Sequence, residues 1–145
     1  MKKVPSEKDW CNYKDNPDSL YAYEMFFGKT NQDMQESFRI NVIERADELR
    51  WMPEKAFQYY MFGLRDYVRN GNFGFYDEAD ASSCYLDLII QKLEEQPDQI
   101  KPILSELMET AEYVGNNQAE YDADEEIYGS FIEKLNKIKN LKGHT

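Results

Sequence analysis

At 145 residues with 28 acids, 17 Lys and Arg and a formal charge of −11, the chain has the size of one domain and the wrong sign for holding phosphates. Its 41% apolar and 14% aromatic content excludes a disordered acidic tail, and no run approaches the roughly 18 apolar residues of a membrane span. The opening Met1-Lys2-Lys3-Val4-Pro5-Ser6 lacks the apolar stretch of a secretory signal, so a cytoplasmic protein is expected.

Residues 1–15 show no clear period and read as an irregular N-terminal segment. Asn16-Pro17-Asp18-Ser19 then signals a helix start, with a capping side chain, a first-turn proline and early acid. That helix carries Leu20 to Phe27 and stops at Gly28. Thr30 or Asn31 can cap a second helix, whose inward row is Met34, Phe38, Val42, Ala46 and Leu49, ending before Pro53. A third runs from about Glu54 to Asn70, with Phe57, Tyr60, Met61, Leu64 and Val68 on one stripe and Gly71 as its stop.

The loop Gly71-Asn72-Phe73-Gly74-Phe75-Tyr76-Asp77-Glu78 is punctuated by glycines yet holds three aromatics. Asp80 or Ser82 can cap the next helix, which runs over 81–95. It is apolar round most of its circumference, notably at Leu86, Leu88, Ile89, Ile90 and Leu93, which places it at the centre of a bundle. Gln96-Pro97-Asp98 breaks it. Pro102 marks the first turn of another helix, with Ile103, Leu104, Leu107, Met108, Ala111 and Val114 inward and Gly115 as its stop. The last helix begins near Asn117, carries Ile127, Phe131, Leu135 and Ile138 inward, and frays over 141–145. No segment shows a period of two bounded by turns. The expected fold is all-α: one domain, a bundle of about six helices.

The charge is unevenly spread. Residues 71–133 hold 16 acids against Lys92 and Lys101, a net of −14, while the first 70 residues sit at −1 and the last 12 add four lysines. Such a block attracts cationic partners at long range. A faint echo links Tyr76-Asp77-Glu78-Ala79-Asp80 with Tyr121-Asp122-Ala123-Asp124-Glu125; in each a Tyr precedes spaced acids near a helix start, where acids also favour the macrodipole.

Catalytic and metal motifs are missing from the sequence. Asp122, Asp124, Glu126 and Glu133 fall at positions 1, 3, 5 and 12 of a calcium loop, but Ile127 stands where the turn needs glycine. Cys11, Cys84 and the single His144 make neither a disulfide framework nor a zinc site, and one histidine cannot supply a di-metal bundle. Reduced thiols are expected, with Cys84 a small core residue. Ser82, Ser83 and Cys84 near a helix start have no internal histidine to serve as base, although a dipole there can lower a thiol pKa. No cofactor and no metal site is expected.

The aromatics supply the remaining candidates. Tyr60, Tyr67 and Tyr85 fall at helical spacing and read as core. Phe73, Phe75 and Tyr76 lie in a loop beside Asp77, Glu78 and Asp80. Aromatics ringed by acids have the composition of a hot spot for a basic protein, although the two Phe can equally seal a core edge. Tyr121 with Asp122, Asp124, Glu125 and Glu126 forms a second patch, and a partner-binding face made of both patches is expected. In overall character, small, acidic, helical and with Tyr among carboxylates, the chain resembles the immunity proteins of bacterial toxin systems; the similarity spans the whole chain and rests on no motif. That resemblance implies a non-catalytic protein that covers a cationic toxin, with no role for nucleic acid or membrane. The alternatives are a secretion chaperone or adaptor, which would need an apolar groove, and an enzyme of unfamiliar type, which would need buried carboxylates in a deep pocket.

Overall fold

The computed structural model describes residues 3–74 and 77–143, and among these the regular structure is entirely helical, as the periodicity implies. Two 3-10 turns, Glu7–Trp10 and Tyr13–Asp15, lead into α1 (Pro17–Phe26), α2 (Gln35–Ile40), α3 (Val42–Arg50), α4 (Glu54–Asn70), α5 (Glu78–Glu95) and α6 (Pro97–Asn116). A third 3-10 turn, Gln118–Tyr121, precedes α7 (Glu125–Tyr128) and α8 (Phe131–Lys142). No helix among the described residues is long and apolar enough to cross a membrane.

Local chemistry sets most boundaries. The Asn16 side chain accepts from the Asp18 and Ser19 amides at 2.8 and 3.3 Å, which starts α1. Gly71, at φ +69°, closes α4 in the left-handed conformation that a glycine adopts without strain. The expected stripes are buried: Met34 just before α2 with Phe38, Val42, Ala46 and Leu49 on α2 and α3, Phe57, Tyr60, Met61, Leu64 and Val68 on α4, and Ile103, Leu104, Leu107, Met108, Ala111 and Val114 on α6.

Several boundaries differ from expectation. The second helix is two, because Asn41 leaves helical geometry (φ −157°, ψ 82°) and its side chain caps α3 at Glu44 N. The buried row survives the break. Helix α5 starts a turn early, at Glu78, so Asp80 and Ser82 lie inside it; the Ser82 hydroxyl bonds back to the Glu78 carbonyl at 2.8 Å. Pro97, not Pro102, occupies the first turn of α6. Gly115 does not stop α6 but lies within it, buried, where a Cβ would stand 2.7 Å from Leu135 Cβ. That glycine lets α6 and α8 cross closely.

The N-terminal segment is part of the core. Trp10 and Tyr13 are buried, and Tyr13 stacks on Tyr23 with centroids 3.8 Å apart. Helix α5 packs against α3, α4, α6 and α8, the central place its apolar circumference demands. Leu86, Leu88, Ile89 and Leu93 are buried and Ile90 is partly so. Lysines of the C-terminal helix cross to the same element: Lys134 pairs with Asp87 at 2.9 Å and Lys137 with Glu94 at 3.1 Å.

Candidate functional site: an acidic face around residues 73–80 and 120–130

The first part of the expected last helix is instead a folded loop between α6 and α8, while its later part, with Phe131, Leu135 and Ile138, is α8. Asp122 takes a left-handed φ of 55° and ends the 3-10 turn, a conformation Asp tolerates better than most residues. Asp124 caps α7 by accepting from Glu126 N at 2.9 Å. Gly129, at φ +79°, turns the chain again, and Ser130 caps α8 at Glu133 N. One side chain ties the loop together: Gln118 donates from Nε2 to the carbonyls of Ala123 (2.9 Å) and Gly129 (2.8 Å), and its Oε1 accepts from Phe131 N (2.8 Å).

The fold brings the two acidic segments side by side. The Tyr128 hydroxyl donates to Asp80 Oδ1 at 2.8 Å across 48 positions of sequence. Phe73 and Tyr121 meet edge to face at 6.3 Å. On the first segment the Tyr67 hydroxyl donates to Asp77 Oδ2 at 2.6 Å. Asp77, Glu78 and Asp80 are each half-buried, while Asp122, Asp124, Glu125 and Glu126 are exposed. Burial pushes the Asp77 carboxyl above its usual range, repulsion from Asp80 and Glu78 adds to this, and the Tyr67 hydroxyl opposes it. Ion pairs to Lys134, Lys137, Arg50 and Arg69 engage Asp87, Glu94, Glu95 and Glu109, none of which lies in 77–80 or 120–126. Seven acids of the charge block therefore gather on this face without a lysine or arginine pair among the described residues, while exposed Asp98, Glu106, Glu112 and Glu133 lie elsewhere on the surface.

The aromatics behave differently from expectation. Tyr121 is only 6% exposed: it lies beneath the acids, not among them, and burial raises its hydroxyl pKa to about 12. Phe73 packs partly buried against the core and meets Tyr67 edge to face at 5.4 Å, so it seals the bundle. Phe75 and Tyr76 lie outside the described residues. The exposed apolar groups are ones the periodicity misassigned or passed over. Ile127, expected inward, is 73% exposed, because the loop turns α7 away from the bundle. Ile132 is 44% and Tyr113 is 50% exposed, and the Tyr113 hydroxyl donates to Glu120 at 2.7 Å. Spacing pointed Ile127 the wrong way, but Gly129 two residues on was a visible sign that the helix breaks there.

A cleft of about 260 Å3 borders the face, walled by the Arg69–Glu109 pair, Tyr113 and Tyr121. Thr110 also lines it, and its buried Oγ1 has no protein hydrogen-bond partner. Chemically, the face offers carboxylates and an apolar tip. Cys84, partly buried within α5, has its thiol pushed up to about 12 by burial, with Asp87 adding to the effect, so it is not an activated nucleophile. No cluster among the described residues has the ligands for a metal ion. Comparison with protein-family models, with curated proteins and with solved structures finds no match to this chain.

Proposed function

We propose that the protein is a non-catalytic, cytoplasmic binding protein that neutralises a basic protein partner, acting as an immunity protein against a cognate bacterial toxin. The observation that carries this reading is the junction made by Tyr128 and Asp80. It sets exposed Asp122, Asp124, Glu125 and Glu126 beside half-buried Asp77, Glu78 and Asp80, with Ile127 standing 73% exposed among them. An apolar anchor ringed by like charges is the composition of an interface core with a charged rim. The rim steers a cationic partner and accelerates capture, while desolvation of Ile127 slows release. Inhibition then follows from occupancy, with no bond made or broken.

The test takes candidate basic proteins from the neighbouring genes and measures binding kinetics, together with protection from any toxicity of the bound candidate on co-expression. Replacing Asp122, Asp124, Glu125 and Glu126 with Asn or Gln should slow association about tenfold or more, and Ile127→Ala should speed dissociation. Unchanged kinetics in both variants, or no protection, would overturn the reading.

A further inference from the structure

Among the described residues the two most exposed large apolar side chains are Ile40, at 74%, and Ile127, at 73%. Ile127 belongs to the acidic face. Ile40 ends α2, and Ile43, also exposed, follows it in the first turn of α3. Single isoleucines scattered over a surface are ordinary, whereas two together on a fixed turn mark a contact surface. Asn41 fixes the turn between them: its Oδ1 accepts from Glu44 N at 3.2 Å and its Nδ2 donates to Glu44 Oε2 at 2.7 Å.

Packing carries this pair to the end of the molecule that holds the acids. Helix α3 packs along α5. Where both helices end, Arg50 gives Nη2 to Glu95 at 3.0 Å. Before both begin, the Arg39 carbonyl lies against Gly74, where a Cβ would stand 2.8 Å from its oxygen, and Asp77 N donates to the Gly74 carbonyl at 3.2 Å. The two helices therefore run in the same direction, with Ile40 and Ile43 at the end where α5 starts at Glu78. Helix α8 packs on another flank of α5, and Tyr128, just before it, reaches Asp80. The start of α5 thus has exposed apolar groups on both flanks. Charge at the α2–α3 turn has the sign of the acidic face. Arg39 faces Glu36 at 3.7 Å, and Arg45 is buried in a pair with Glu48. Exposed Glu44 and Asp47 are the surplus, since neither meets a lysine or arginine among the described residues.

We infer that the partner-binding face crosses the start of α5 and ends on Ile40 and Ile43, which form a second apolar anchor for the same basic protein. This rests on the binding role proposed above and adds the part of the surface that the partner covers. Acids beside both anchors favour a cationic protein over a second copy of this chain, whose own face is acidic. Both anchors stand on capped turns, at Asn41 and at Asp124, so burying them costs little further ordering.

The probe is the basic neighbouring-gene protein that the intact wild-type chain binds, and the readouts are its binding rates and amide hydrogen exchange in the complex. Ile40→Ser combined with Ile43→Ser should speed dissociation about tenfold or more. Glu44→Gln combined with Asp47→Asn should slow association several-fold at low salt. The exchange measurement needs no variant. Amides in the first turn of a helix lack an intrahelical acceptor and exchange readily in the free protein, so those of Val42 and Ile43 should slow on binding together with 122–127. Wild-type dissociation in the isoleucine variant, or unchanged exchange at Val42 and Ile43, overturns the inference and leaves the loop around Ile127 as the binding face. Protection at the α2–α3 turn with none at 122–127 places the site there alone and overturns both readings, as does the failure of every basic candidate to bind.

Discussion

Lys92 is a charged residue that the fold buries against its solvation preference. Lysine is rarely fully buried, yet Lys92 lies buried, bonded to two glutamine oxygens and 4.4 Å from the centroid of the Phe57 ring. Burial, with a smaller push from Arg50, depresses its pKa from 10.5 to about 8. The unfolded chain therefore holds this proton between pH 8 and 10.5 while the folded chain releases it, so the Lys92 contribution makes stability rise with pH through that window. Below pH 8 both states are protonated and the cost of burying the charge is fully present. Urea titrations at pH 7 and 9.5 should show wild type gaining on Lys92→Met by about 1–3 kcal/mol; an unchanged gap would mean that Lys92 does not titrate there. Above pH 10 the buried tyrosines act in the opposite sense, because their raised hydroxyl pKa values favour proton loss from the unfolded chain. At the acidic face Ile127→Ala should leave stability within about 0.5 kcal/mol of wild type, since the side chain is 73% exposed.

Among the elements, the crossing of α6 and α8 depends on Gly115. Adding a Cβ 2.7 Å from Leu135 Cβ and 2.8 Å from Leu135 Cδ2 forces the helices apart, so Gly115→Ala should cost about 1–3 kcal/mol in thermal or urea unfolding despite alanine's better helix propensity. A stabilised variant would show that the crossing gives way freely. Helix α5 should be the least tolerant element: Leu88→Ala or Ile89→Ala, both at buried positions, should cost about 2–5 kcal/mol. The loop before α8 depends on the single clamp of Gln118. Gln118→Ala should speed amide hydrogen exchange over 122–130 while leaving α5 protected. Exchange that rises equally in both would place Gln118 in the global core instead.

For the whole molecule, the proposed capture role of the acidic face carries a salt dependence. Raising salt from low to physiological strength should reduce the association rate with the basic partner several-fold and change dissociation less, as expected when exposed carboxylates steer the encounter. Salt-independent association would reduce the charge block to solubility. Chelating agents should leave the melting temperature where it is, and a rise of several degrees with added calcium, reversed by chelator, would contradict this.

The buried rows of α2 to α6 were legible because apolar residues at a 3.6 period can satisfy both backbone and burial only as helix faces. The all-α class followed from that local rule, and the acidic net charge was legible too, since charge is additive along the chain whatever its path. Breaks in helices were harder to read. Asn41, Asp122 and Gly129 each permit a turn, but whether the chain takes it depends on contacts such as the Gln118 clamp, 11 residues from the Gly129 carbonyl. Tertiary structure alone decided that Tyr121 lies beneath the acids and Ile127 above them, that Tyr128 reaches Asp80, and that Ile40 and Ile43 stand at the end where α5 starts. The reason is physical: spacing along a chain sets which residues share a face of one element, whereas the packing of several elements sets what that face meets.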